Sequence, residues 1–549
     1  NAWFSSGNTA GSFNKTGAGT LVLGDTANNI NPVFNIKEGT VSVSGTGALG
    51  TGTGNSITLG DTNTSGTLRI TGATATTTRN ITINAGGGTI DVSQPDFATT
   101  ITSTGTISGG TLTKAGGSIL VLSGTNTYGK TVVSGGMLTV GADSGLGATP
   151  GSATADSIMI GNGRLGLNGN FTVAANRGIT LTDANSSIDV YGGNTATVAG
   201  VITNTGAGAL TKMGTGTLTL SGANTYSGNT AINVGVLQIS SSGNLGASTN
   251  SVAIASGATL RSTASLTNAR AITISSGTGY VEASSGTTNT LNGTLTKNGT
   301  TLVLGGGGTH IVNGSIVGSS ANSDLYVSNS TTTINSTNSY NGPTFVVAGG
   351  TLNNGINNAL PTNTALTLGQ SGETSSTTNT YNVSGFSQTV DSVATAGNSV
   401  NIVTNSTGTG NLTLNSSTAK SISNLTMGGA NLTLTKAGAN TVTLASGNNI
   451  SASTIAIQQG TLLLGANNQI GDSTAITLSG GTLNTAGYGD AVGKLTVSGA
   501  STIQGLNTTN GTAFTFSDID LGNYSTSSGS ALTFLPTSGT YTLGQVIQL

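Results

Sequence analysis

Residues 124–131, GTNTYGKT, spell the phosphate-cradling pattern GxxxxGK[ST]. That chemistry requires a glycine loop opening a helix whose N-terminus faces the phosphate. VVSGGMLTV follows instead, a strand pattern, and the aligned stretch further on reads GANTYSGNT without the lysine. The octapeptide is therefore read as a β-turn of a repeat. GNGRLG at 161–166 matches GxGxxG, again with no helix after it. Gly86-Gly87-Gly88-Thr89-Ile90-Asp91 approaches a calcium-binding nonapeptide, but Thr89 stands where glycine is required and no tandem array follows. Asp518 and Asp520, two apart in FSDIDLG, share one strand face. Such a pair can hold a cation or act as acid and base; it is read here as a solvated face near the end of the chain. His310 is the sole histidine, which excludes a His-based triad or His cluster. Seventeen acids spread over 549 residues leave little material for a glycosidase pair. The expectation is no catalytic residue, no metal and no cofactor.

The elements that would have to position any such groups are all of one kind. Thr20-Leu-Val-Leu23, Thr40-Val-Ser-Val43, Ser56-Ile-Thr-Leu59, Thr67-Leu-Arg-Ile70, Asn80-Ile-Thr-Ile83 and Thr89-Ile-Asp-Val92 alternate apolar and polar residues, as half-buried strands do. The pairs Leu21/Leu23 through Ile90/Val92 should face inward, with Arg69 and Asp91 outward. The same phase puts Val121 outside and Leu122 inside. Gly, Asn, Ser and Thr fill the turns between strands, and helix formers are sparse.

Composition narrows the architecture. The chain has 88 Gly, 6 Pro, no Cys and 6 % charged residues, against roughly 25 % charged in ordinary domains. It is rich in β-branched residues, which disordered chains lack. A net charge of −2 recruits neither nucleic acid nor an anionic membrane. No apolar run approaches the roughly 18 residues of a spanning helix. The chain starts at Asn1 without Met and shows no signal peptide, as in a mature or trimmed product. Absence of cysteine excludes a disulfide framework and suits passage through an oxidising periplasm.

Four stretches repeat one plan: 15–50, 114–147, 212–246 and 436–471. Lys15, Lys114 and Lys212 open the first three, 99 and 98 residues apart. Self-similarity at a fixed period marks a stacked architecture. There are too many short strands for one sandwich, and the period does not suit propeller blades. The reading is all-β: a right-handed parallel β-helix, a β-solenoid rod of about 22–27 rungs. Glycine then serves corners that need positive φ. The expected organisation is an N-terminal cap or contact segment over 1–14 and a continuous solenoid over 15–494. Its repeats open near 15, 114, 212, 297, 338 and 436, and terminal rungs follow over 495–549.

KMGTGTLTLSGANTYSGNTAINVGVLQISSSGNLG at 212–246 and KAGGSILVLSGTNTYGKTVVSGGMLTVGADSGLG at 114–147 resemble the passenger-associated transport repeat, also called the autotransporter-associated β-strand repeat. The copies at 15–50 and 436–471 lack the NTY element, and the region after Lys297 departs strongly. The resemblance implies an extracellular β-helical passenger of a bacterial surface and brings no catalytic residues with it. The expected function is structural: a filament subunit or adhesin stalk, with surface glycans or matrix as further partners. The alternative is a β-helical polysaccharide-degrading or glycan-binding passenger. Trp3, Phe4 and Phe13 at one end, and Tyr541, Val546, Ile547 and Leu549 at the other, are the candidate contacts for head-to-tail assembly with further copies.

Overall fold

Two-residue alternation with β-branched and leucine side chains makes each segment a strand that can bury only one face, and stacking the strands of successive turns buries all of those faces together. The computed structural model describes residues 12–24, 33–45, 48, 56–94, 97, 99–506, 513–520 and the backbone of 532–535. It is all-β, with parallel sheets stacked as a β-solenoid of about 22 turns. No helix among the described residues is long and apolar enough to cross a membrane. The chain forms two compact units, Asn1–Leu266 and Thr267–Leu549.

In the first unit a turn is built of three strands, as in Arg177–Leu181, Ser187–Val190 and Thr195–Val198. Each strand pairs in parallel with its counterpart one turn away. One interior column runs in register through Leu120, Leu138, Leu165, Ile188, Lys212, Ile232 and Ile254. A second runs through Ile90, Lys114, Val133, Ile160 and Leu181. A lysine thus occupies a position that is otherwise aliphatic in both. The inward phase read from the sequence holds: Val41, Val43, Ile57, Leu59, Leu68, Ile70, Ile81, Ile83, Ile90 and Val92 are buried, and Leu21 and Leu23, in the first of these strands, are half-buried. One detail differs. Asp91 is 8 % exposed rather than solvated, because Arg69 on the neighbouring strand covers it with an Nε–carboxylate contact of 2.8 Å.

The second unit follows the same construction. Leu295–Thr296, Thr301–Gly305 and Thr309–Val312 form a turn, followed by Ile316–Gly318, Leu325–Ser328 and Thr331–Ile334. Leu414, Lys436, Ile457, Leu478 and Val497 make one interior column, again with a lysine in an aliphatic row. Burying each leucine or isoleucine contributes about 1.5–3 kcal/mol, so these columns hold the fold.

His310 lies inside the second unit, in a polar column with Asn289 and Thr332. Its Nε2 meets the Gly305 carbonyl at 2.9 Å. Nδ1, together with Asn289 Oδ1 and Thr332 Oγ1, has no protein partner. Burial lowers the His310 pKa, against smaller opposing effects of the Gly305 carbonyl and Glu282. Since the unfolded ring titrates near 6.5, protons bind the unfolded chain better. Stability is therefore full above that pH and falls as pH drops below it. The protection factors of the amides over residues 289–334, taken against the intrinsic exchange rate at each pH, are expected to fall between pH 7.5 and pH 5, and His310→Leu to remove that dependence. An identical fall in the variant would show that another group titrates.

Candidate functional site: the polar clamps of the repeat

The short motifs sit in the stacked strands and their turns. The GTNTYGKT octapeptide runs into the strand Thr127–Val133, with Tyr128 fully buried and Lys130 paired to Asp156 at 2.5 Å. GNGRLG enters the strand Gly163–Leu167. Asp518 and Asp520 share Lys494, whose Nζ is 3.9 and 2.7 Å from their carboxylates. A cation bridging two outward carboxylates is a surface ladder contact. No group of three or more His, Asp or Glu residues able to hold a metal ion occurs among the described residues.

The polar residues that the fold does assemble belong to the repeat itself. Lys114 and Lys212 are fully buried. Lys114 Nζ donates to the carbonyls of Ala115, Gly116 and Gly135 at 2.6, 2.9 and 3.1 Å. Lys212 Nζ donates to Met213, Gly214 and Val234 at 2.7, 2.7 and 3.1 Å. Lys15 repeats the pattern with Thr16, Gly17 and Glu38 at 2.9, 2.5 and 3.1 Å, and Lys436 binds the Gly438 and Gln459 carbonyls. In each of the first three copies two acceptors lie in the lysine's own corner and one lies in the corner a turn further on. The ammonium thus ties adjacent turns together where the chain bends and its carbonyls lose ladder partners. Desolvation pulls the Lys114 and Lys212 pKa down to about 8, opposed by Asp91 and Asp189 respectively. Both amines remain charged at neutral pH, matching three donors to three carbonyls.

The K-x-G spacing follows from this corner. Gly116 and Gly214 have φ of 76° and 74°, the left-handed region that favours glycine. A Cβ there would stand 2.4 and 2.2 Å from the Asp91 and Asp189 carboxylate oxygens.

The N-x-Y element forms a second clamp. Asn126 Oδ1 accepts from Ile107 N at 2.8 Å, while its Nδ2 donates to the Gly145 carbonyl at 2.9 Å. Asn224 does the same between Ile202 N and the Asn244 carbonyl, at 2.7 and 2.5 Å. Asn338 bridges Ile316 N and the Ala359 carbonyl, both at 2.6 Å. Each amide therefore joins three consecutive turns. The tyrosine two residues on is fully buried, its hydroxyl bonded to a threonine: Tyr128 to Thr131 at 3.1 Å, Tyr226 to Thr230 at 2.8 Å and Tyr340 to Thr344 at 2.7 Å. Burial raises the Tyr128 and Tyr340 pKa far above the ordinary phenol range.

Two further devices depart from the common plan. Arg177, 1 % exposed, gathers the loop after the 3-10 turn Asp143–Leu146. It binds the Asp143 carboxylate at 3.0 Å and the Leu146, Ala148 and Gly147 carbonyls at 3.1, 3.1 and 2.6 Å. Lys297 donates to the Ser323 carbonyl and lies 3.7 Å from the centre of the Tyr340 ring. With a single carbonyl acceptor and a cation–π contact in place of a three-carbonyl cage, its pKa is pushed down to about 7, mainly by burial.

Of the candidate end contacts, Phe13 packs its ring 5.6 Å from Phe34; Trp3, Phe4, Tyr541, Val546, Ile547 and Leu549 lie outside the described residues. The clamp lysines and asparagines escaped the sequence reading as working groups. Their signal was present: the same residue opened each copy, although neighbouring positions varied.

Four segments match the family model described as Passenger-associated-transport-repeat: residues 13–43, 112–140, 210–239 and 434–464. They contain Lys15, Lys114, Lys212 and Lys436, each of which binds corner carbonyls on two turns. The chain is also similar to the Adhesin BmaC autotransporter of Brucella suis biovar 1 (strain 1330), at 36 % identity over 126 residues. That alignment covers 21 % of this chain and 4 % of the relative, so the chain spans a small fraction of that protein. No solved structure matches. The chain carries the passenger-associated transport repeat four times, each copy built around a lysine that fastens one turn of the solenoid to the next.

Proposed function

We propose that this chain is a non-enzymatic, extracellular passenger of a bacterial surface that acts in adhesion. The observation that carries the reading is the fate of the repeat's polar residues. Lysine, asparagine and tyrosine are turned inward and spent on backbone and threonine partners. What recurs in the sequence is thus scaffold, leaving the outer faces free to vary. The similarity to an autotransporter adhesin supports the same location and role. The test is to display the chain on a non-adherent bacterium and count cells attached to host-cell monolayers and to extracellular matrix. Attachment above that of the undisplayed strain is expected; equal attachment on every surface would defeat the reading.

Two finer parts belong to this proposal. Absence of catalysis predicts no turnover of polysaccharides by the purified chain. Turnover abolished by Asp518→Asn with Asp520→Asn would reinstate the enzyme alternative. Head-to-tail assembly through the chain ends is the second part. Filaments in light scattering and micrographs that vanish when residues 1–14 and 541–549 are removed would support it; monodisperse monomers at high concentration would end it. Phe13 already spends part of its ring on Phe34, within its own unit.

A further inference from the structure

The third N-x-Y copy closes differently from the other two. After Tyr128 and Tyr226 the chain returns through Leu146-Gly147 and Leu245-Gly246. Both glycines have positive φ, 85° and 76°. Their bare Cα atoms lie against the tyrosines: an added Cβ would come within 2.9 Å of the Tyr128 ring and 3.0 Å of the Tyr226 ring. The next residue locks the turn down, with Ala148 N to the Tyr128 carbonyl and Ala247 N to the Tyr226 carbonyl, each 2.9 Å. In the third copy the residue after Leu360 is Pro361. Proline holds φ near −65° and cannot take the left-handed turn. The connection leaves by another path, and a cleft of about 320 Å³ opens beside Tyr340.

The lining of this cleft has a consistent chemistry. Leu360, 1 % exposed, and the buried Pro361 lie beneath it, and no charged side chain contributes. Ser339, Asn341, Asn358, Thr362 and Asn363 stand exposed around it. Asn341 uses its Nδ2 on the Ser319 carbonyl, 2.6 Å away, and keeps its Oδ1 as an acceptor. Asn358 uses its Oδ1 on Thr389 N at 2.9 Å and keeps its Nδ2 as a donor. A rim of neutral donors and acceptors with no charge among them suits a ligand that is uncharged and dense in hydroxyls. The size is at the lower limit of ligand pockets, roughly 300–1,000 Å³, so one sugar ring is a suitable occupant. Behind the rim Asn338 is clamped to two turns, which holds the site on rigid scaffold.

We propose that this cleft binds the terminal unit of a neutral carbohydrate. The proposal rests on the adhesin reading for its biological use and names the ligand class that such a surface would take. Saturation-transfer NMR on the full chain tests it, with methyl glycosides of glucose, galactose, mannose and N-acetylglucosamine as probes and glucuronic acid as the anionic control. Transfer to at least one neutral glycoside and none to glucuronic acid is expected. Asn341→Ala with Asn363→Ala should weaken binding about tenfold while melting as the parent does, the loss expected for two removed hydrogen bonds. If the double variant folds poorly, Asn363→Ala alone should weaken binding about threefold, the loss expected for one hydrogen bond. No transfer to any neutral glycoside, or transfer that survives both variants unchanged, overturns the proposal. Sugar binding through the cleft without attachment of displaying cells would sink the adhesin reading and leave the cleft standing; attachment with a silent cleft would do the reverse.

Discussion

Leu122→Asp is expected to open the turns around it, while Val121→Asp next to it is tolerated. Leu122 is 1 % exposed and stacks in register between Ser103 and Val140. Its replacement removes an aliphatic side chain from the column and buries a carboxylate whose one polar neighbour in register is the Ser103 hydroxyl, with no cation beside it. Losing the burial and desolvating the charge together cost about 4 kcal/mol or more. Val121 is half-buried on the outer side of the same strand, and a carboxylate there reaches water; about 1 kcal/mol or less is expected. In a solenoid such damage stays local before it becomes global. Hydrogen exchange over residues 119–140 is therefore the sharper measurement, with thermal melting beside it. Equal loss of protection in the two variants would show that this strand is not one-sided.

Lys212→Ala should be nearly as damaging, although it removes a charge from an apolar column. The side chain is fully buried, its neighbours in register are Ile188 and Ile232, and its ammonium satisfies three carbonyls. Alanine leaves a cavity and three acceptors without a donor, at a cost of about 3–5 kcal/mol. Lys212→Met keeps the volume and loses only the bonds, so about 1–3 kcal/mol is expected. Lys130→Ala, which breaks the exposed pair with Asp156, should cost about 1 kcal/mol or less. The two Lys212 variants are read from protection of residues 210–239 and the Lys130 control from protection of residues 127–160, with the losses expected in the order Ala, Met, control. Lys212→Met with the parent's protection would mean that the amine contributes nothing beyond its alkyl chain.

How much was legible in the sequence follows from the period of each signal. Alternation in Thr67-Leu-Arg-Ile70 or Thr89-Ile-Asp-Val92 reports which side chains face inward, because a strand has only two faces and one of them is buried. Hence the aliphatic columns, the parallel stacking and the dismissal of GTNTYGKT were available from residue order alone. Asp91 was misplaced because alternation says nothing about what a neighbouring turn lays over an outward residue; Arg69, in register on the adjacent strand, covers it.

The inward lysines were hidden for a related reason. Lys114 and Lys212 sit at strand positions whose phase points into the core, yet their type argues for solvent. Only the stacked corners complete the set of carbonyls that offsets their burial, because the third acceptor of each comes from a turn more than twenty residues away. Asn126, Asn224 and Arg177 are likewise defined by partners distant in sequence. The cleft at Pro361 is the clearest case. A proline in place of glycine reads locally as a different turn; that the turn would have closed over a buried tyrosine twenty residues earlier is visible only once the turns are stacked. By itself the sequence determined the strand, its buried face and the repeat, which are local and periodic. The tertiary structure decided which polar residues are spent on the scaffold and which are left to meet a ligand, because that depends on what the adjacent turn places within hydrogen-bond reach.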